Sequence, residues 1–231
     1  MPFVSRIVAI LPALNEEAAI GLVLDEIPGV VDEAIVVDNG SRDATAAVAR
    51  QHGARVVHEP RRGYGQACLA GIAAAADADV LVFLDADRSD FPEQVRDVLA
   101  PILADQADLV IGSRQLGRRA QGAHPWHAVL GTRACVFLMN ALIGTHATDL
   151  GPFRAVRAEA LRGLDMRDRN FGWTVEMQVK AQRAGLRVVE VPVDYRPRVG
   201  QSKISGTLSG TVCAGAKILG RILYHAVARP A

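Results

Sequence analysis

A chain of 231 residues, half of them hydrophobic, can bury a full core as one large domain or as one domain with a short appendage. Three cysteines (Cys68, Cys135, Cys213) without CxxC spacing argue against a disulfide framework or structural zinc, and no stretch reaches the roughly 20 apolar residues of a membrane span. The net charge of +1 conceals opposed halves: residues 1–110 hold 8 Lys/Arg against 18 Asp/Glu, net −10, and residues 111–231 hold 18 against 7, net +11. The acidic half suits a metal and the basic half suits phosphates or an anionic membrane surface, unless the two halves simply attract each other.

In chain order, Ile7 to Leu11 reads as a buried strand, followed by a Pro12–Glu17 loop and a helix that ends before Pro28-Gly29. Asn15 is placed to cap that helix and Glu17 to meet its dipole. A strand over Ala34 to Val37 leads into the turn Asp38-Asn39-Gly40-Ser41 and a helix to His52; Arg55 to His58 is a third short strand. This βαβαβ order with short links predicts parallel strands covered by helices on both faces. The loop Glu59 to Gln66 then offers Gly63 and Gly65 for close approach to a ligand and Arg61 and Arg62 for phosphate, before an Ala-rich helix to Ala76.

Val80-Leu81-Val82-Phe83-Leu84 has the continuous apolar character of a strand buried on both faces, and Asp85-Ala86-Asp87 stands at its C-terminal tip. An open α/β sheet places ligands there, and two carboxylates so close are best accommodated by a divalent cation. Alone, the pair reads more readily as a solvated turn before Pro92. Strand five, Asp108 to Ile111, delivers Gly112-Ser113-Arg114 to the same edge, and that convergence favours a site.

Gln115 to Trp126 reads as a loop, in which His124, like the neighbouring His127, has no metal partner at ligand spacing. A helix over 127–143 follows, then Asp149 to Arg154 running into a short strand, and a helix over 175–184 near whose start lies Glu176. After a last strand, Leu186 to Val193, the basic loop Arg196 to Lys203 is shaped for a phosphate. From Thr207 the chain is an amphipathic helix, with Lys217, Arg221 and His225 on one stripe and Ile218, Leu219, Ile222, Leu223 and Val227 opposite. Such a helix packs on its own domain or lies in a membrane interface.

Six clusters in this order, 12–16, 36–43, 85–87, 112–114, 149–154 and 198–203, resemble glycosyltransferase family two, the inverting GT-A enzymes. Within it the chain looks most like the dolichyl-phosphate mannosyltransferase and polyprenyl-phosphate glycosyltransferase group. The resemblance implies an α/β, Rossmann-like, mostly parallel central sheet flanked by helices: a GT-A domain over 1–205 and an amphipathic helical appendage over 206–231. It implies that Pro12, Leu14, Glu16, Val36 and Asp38 line the nucleoside pocket, that Asp85 and Ala86 contact the sugar nucleotide, and that Asp87 ligates Mg²⁺ or Mn²⁺. Arg114 would reach the donor, and Arg198 and Lys203 would meet phosphate. Where those lipid-phosphate enzymes often carry a metal-binding Gln, this chain has Ser89, whose hydroxyl or a water would substitute.

The implied reaction is a single displacement on a GDP- or UDP-linked sugar by a polyprenyl phosphate, at the cytoplasmic membrane face. A phosphate monoester is largely dianionic near neutral pH and attacks unaided. A hydroxyl acceptor, used by a soluble transferase of the same family, would need a base, for which Asp149 and Glu176 are the candidates. A catalytically silent sugar-nucleotide-binding scaffold is the remaining rival. Nucleic acid is not an expected partner, since the positive charge carries no interleaved aromatics.

Overall fold

The computed structural model describes residues 5–123, 126–200 and 208–227, without the side chains of Trp126, 208–214, His225 and Val227. A seven-stranded sheet of order β3-β2-β1-β4-β6-β5-β7 organises them. Its strands are β1 (Ile7–Ala13), β2 (Glu33–Asp38), β3 (Arg55–His58), β4 (Val80–Phe83), β5 (Leu109–Ser113), β6 (Arg154–Arg157) and β7 (Val188–Pro192). The helices are α1 (Ile20–Glu26), α2 (Thr45–Gln51), α3 (Tyr64–Ala74), α4 (Val95–Leu103), α5 (Trp126–Ile143), α6 (Ala158–Gly163), α7 (Trp173–Arg183) and α8 (Leu208–Val227). The first three strands and β4 run parallel, as the short βαβ links require.

β6 alone runs antiparallel to both its neighbours. The reason lies in the loop before it: Asp149 is held against Arg114 at the C-terminal edge of β5, so the strand that follows can only run away from that edge. The alternation along β1 and β4 sends Ala9, Leu11, Val80 and Val82 to one face of the sheet and Val8, Ile10, Leu81 and Phe83 to the other. Each face is closed by its own core, which explains the uninterrupted apolar run of β4.

Three local expectations need correction. Asn15 does not cap α1, which starts at Ile20; it sits at φ 52° and accepts the Arg42 N–H, while Glu17 accepts that of Ala44. Both residues thus stitch the β1–α1 loop to the β2–α2 loop. Strand five runs two residues further than expected, so Gly112 and Ser113 belong to β5. Gly65 serves packing rather than a ligand, since a Cβ there would lie 2.2 Å from the Asp168 carbonyl oxygen; Gly63 is as crowded by the Arg169 carbonyl at 2.1 Å, yet it also borders the cavity described below.

The C-terminal helix packs on α5 and α7, and Ile222 is fully buried in a third apolar cluster with Met139, Val175 and Val179. Arg221, on the helix's basic stripe, pairs with Asp168 at 2.5 Å, and Lys217 lies over the Phe171 ring. The expected domain boundary at 205 falls outside the described residues. Replacing Ile222 with Asp should cost more than the about 2–5 kcal/mol of an Ile→Ala cavity, because a charge is stranded as well. A urea-unfolding midpoint equal to that of the unaltered protein would contradict this packing.

Candidate active site

The strand order reverses between β1 and β4, and in an open α/β sheet the crevice beyond the C-terminal ends of such a pair is where ligands bind. A cavity of about 620 Å³ opens there. Of the residues picked out from sequence, Pro12, Leu14, Glu16, Arg62, Gly63, Asp85, Ala86, Asp87, Arg114 and Arg198 line it. Four loops and the 195–200 segment therefore converge as their spacing predicts.

The rest fall elsewhere. Val36 is wholly buried in the core on the α1 side, and does not reach the cavity. Asp38 closes its own turn, accepting the Ser41 N–H at 2.8 Å, and pairs with His58, its partner on β3, at 3.0 Å. Asn39 takes the cavity position instead; its amide donates to the carbonyls of Glu59 and Arg61 and accepts the Gly63 N–H, which fixes the loop that presents Arg62. Ser89 is buried behind the β4 turn, away from the cavity lining, so its expected part as a metal ligand gains nothing from its position. Lys203 lies outside the described residues.

The β4 turn is tightly built. Asp87 accepts the Ser89 N–H at 2.9 Å and faces Arg198 at 3.2 Å; Arg198 also reaches Glu16 at 2.8 Å. Asp85 lines the cavity, and burial together with the nearby Asp87 and Asp90 pushes its pKa well up. Asp90 is also buried, one of its oxygens lacks a hydrogen-bond donor, and burial raises its pKa to about 7 against the pull of Arg114. The three-residue spacing from Asp87 is the signal that could have flagged Asp90 in the sequence.

Arg114 and Asp149 form a buried, bidentate pair: Nε to one carboxylate oxygen and Nη2 to the other, both at 2.7 Å. Asp149 also accepts the backbone N–H groups of Arg114 and Leu150. Burial alone would raise its pKa, but the Arg114 charge and these bonds hold it below the ordinary carboxylate range. Asp149 therefore orients Arg114 toward the cavity and does not line it. Glu176 likewise points away, accepting the N–H groups of Arg167 and Asp168 and the Lys180 ammonium. Neither carboxylate is placed to receive a proton from an acceptor.

The cavity has two chemically different walls. Charged residues gather over the sheet edge, whereas the helical wall is mostly apolar: Ala128, Gly131 and Cys135 of α5, Gly215 and Ile218 of α8, and Phe171, with Thr132, Asn170 and Thr174 as its uncharged polar members. Beside Arg114 lies a further arginine that sequence reasoning missed. Arg119 donates to the Arg114 carbonyl, and burial together with the charges of Arg114 and Arg133 lowers its pKa, despite the nearby Asp149.

Among the described residues no three His, Cys, Asp or Glu side chains gather as a metal cage. Magnesium-type sites for nucleotides need no such cage, because one or two carboxylates and the substrate's phosphates share the coordination. Asp87, with Asp85 beside it, fits that requirement.

The glycosyl transferase family 2 model matches residues 8–164. The chain belongs to that family. An uncharacterised glycosyltransferase of Mycobacterium tuberculosis is 44% identical over 214 residues, covering 90% of this chain and 94% of the relative. An undecaprenyl-phosphate mannosyltransferase of Micrococcus luteus is 33% identical, covering 89% and 90%. Among solved structures, glucosyl-3-phosphoglycerate synthase from M. tuberculosis, in complex with Mn²⁺, UDP-glucose and phosphoglyceric acid, matches with a TM-score of 0.78 and 26% identity, covering 98% of this chain and 81% of the other. The family 2 enzyme described here is thus a glycosyltransferase with a GT-A sheet, whose β4 tip and β5 end form its candidate site.

Proposed function

We propose that this family 2 enzyme moves a hexose from a nucleoside-diphosphate sugar, GDP- or UDP-linked, to a polyprenyl phosphate by a single inverting displacement. The observation that carries this reading is the mostly apolar helical wall of the cavity, built by α5, α8 and Phe171, opposite the charged sheet edge. An acceptor with an anionic head and a hydrocarbon tail matches both walls. A small polyanion such as a phosphoglycerate matches one.

The committed state of the two candidate bases supports the same acceptor. With Asp149 locked to Arg114 and Glu176 to Lys180, a hydroxyl would find neither poised to take its proton. A phosphate dianion needs no base. Arg62, in the cavity lining, would hold the acceptor's phosphate, while Arg114 and Arg198 would face the leaving diphosphate and oppose the charge that builds on it. Asp87, with Asp85 adjacent, would hold Mg²⁺ or Mn²⁺. Such a cation, when bound, supplies Lewis-acid stabilisation of the diphosphate.

No described helix is long and apolar enough to cross a membrane. Leu130, Phe137 and Leu142 on α5 and Leu223 and Tyr224 on α8 are nevertheless exposed on packed neighbours, which suits contact with the cytoplasmic membrane face where such an acceptor resides. A hydroxyl acceptor remains as a second reading because the cavity does contain Asp85, a carboxylate with a raised pKa, and because the glucosyl-3-phosphoglycerate synthase fold matches so fully.

One experiment separates the two. The full chain is incubated with Mn²⁺ and labelled UDP-glucose or GDP-mannose, and offered either undecaprenyl phosphate in detergent or 3-phosphoglycerate. Label is expected in the lipid fraction. Label in phosphoglycerate alone would defeat the lipid acceptor and favour the second reading.

A further inference from the structure

Glu26, the last residue of α1, lies outside the cavity lining but joins two of its most important parts. One of its carboxylate oxygens takes both Nε and Nη2 of Arg88, and the other takes Nη2 of Arg196. Arg88 is the residue directly after Asp87, held at φ 62°, a left-handed backbone that a non-glycine residue adopts only at a cost. Arg196 stands two residues before Arg198 and stacks on the Phe91 ring at 4.3 Å.

Between these two arginines, the β4 turn and the 195–199 segment are zipped together. The Arg196 N–H donates to the Ser89 carbonyl at 3.0 Å, and the Val199 N–H donates to that of Asp87 at 2.9 Å. The Arg196 Nε donates to the Arg88 carbonyl at 2.8 Å. Two guanidinium groups therefore lie side by side, and both pair with Glu26. Burial disfavours its charge, yet hydrogen bonds and charge from Arg88 and Arg196 hold its pKa below the ordinary value.

We infer that Glu26 is a positioning residue for transfer: by pairing Arg88 with Arg196 it sets the Asp87 carboxylate and Arg198 in register with each other. The inference rests on the proposed role of Asp87 in holding the cation. Without the acid, the paired guanidinium groups repel, the left-handed turn loses its tether, and the 195–199 segment lifts from the β4 turn. Asp87 would keep its carboxylate but lose its aim.

The test compares the unaltered protein, Glu26→Gln and Glu26→Gln/Arg88→Gln. In metal-free protein, amide exchange at Arg196 and Val199 should accelerate by about tenfold or more in the single variant, while the remaining protected amides and the thermal midpoint change little. Its Kd for Mn²⁺ with UDP or GDP should rise by about 10- to 100-fold, the range for groups that orient a metal ligand, and kcat should fall more than the donor KM rises. Removing one of the two guanidinium charges in the double variant should recover part of the metal affinity, because the repulsion is gone although the tether is still missing.

Unchanged exchange in Glu26→Gln would overturn the inference. So would faster exchange with unaltered metal–nucleotide affinity, or a double variant no better than the single one. If the unaltered protein itself binds no metal–nucleotide, the role of Asp87 fails instead, and the exchange rates alone decide whether Glu26 governs the zipper.

Discussion

Asp87→Ala should lower transfer by about a thousandfold or more, because it removes the carboxylate best placed to hold a cation against the leaving diphosphate. The fold should survive. Asp87 stands at the end of the turn, and its side chain gives up one bond from the Ser89 N–H and one contact with Arg198, which keeps Glu16. Losses of that kind are worth about 1–3 kcal/mol. Asp87→Asn is the sharper probe, since an amide oxygen can still accept the Ser89 N–H and preserve the turn while the charge is gone. Both variants are expected to match the unaltered enzyme stripped with EDTA, and added Mn²⁺ should restore only the latter. Full turnover by Asp87→Asn at saturating Mn²⁺ would remove this acid from the mechanism.

Much of this site was legible in the sequence because its parts are local. A doubly buried strand announces itself as Val80 to Leu84, and whatever follows such a strand arrives at the ligand-binding edge. The 12–16, 85–87 and 112–114 clusters reached the cavity or its margin for that reason. What failed depended on pairing across the sheet or on contacts distant in sequence. Asp38 and Asn39 are neighbours, and only the register that sets Asp38 opposite His58 decides which of them faces the cavity. Val36 lies on the same strand as Asp38, but its side chain enters the α1-side core. The Glu26–Arg196 pair spans 170 residues, and no periodicity in either segment reports it.

The C-terminal helix shows the same limit from the other direction. Its amphipathic pattern was plain, yet the pattern alone does not say which stripe turns inward. In the structure Ile222 is buried as its apolar character suggests, while Arg221 on the basic stripe also turns to the domain and pairs with Asp168. Leu223 and Tyr224 remain outside, beside the exposed apolar residues of α5. The helix can thus complete the cavity wall through Gly215 and Ile218 and still present an apolar strip outward.

Asp149→Ala should be the most destabilising single change at the site. Asp149 is fully buried and the Arg114 side chain is only 11% exposed, so removing the acid strands a guanidinium in a place water barely reaches. Breaking a buried pair from one side costs about 3–5 kcal/mol. The sequence alone left open whether Asp149 is a base, and stability separates that role from the one assigned here. A base replaced by Asn loses kcat and keeps its melting temperature; an orienting partner replaced by Asn loses both, since Arg114 is no longer charge-paired. The pH dependence carries the same signature. The folded pKa of Asp149 lies below its ordinary 3.8, so its contribution is complete above that value and disappears as pH falls through the folded pKa. The unaltered protein should therefore lose stability between pH 5 and acid more steeply than Asp149→Asn, as read from urea midpoints. Parallel pH profiles, or an Asp149→Asn protein with an unshifted midpoint and no activity, would return Asp149 to the role of base and reopen the case for a hydroxyl acceptor.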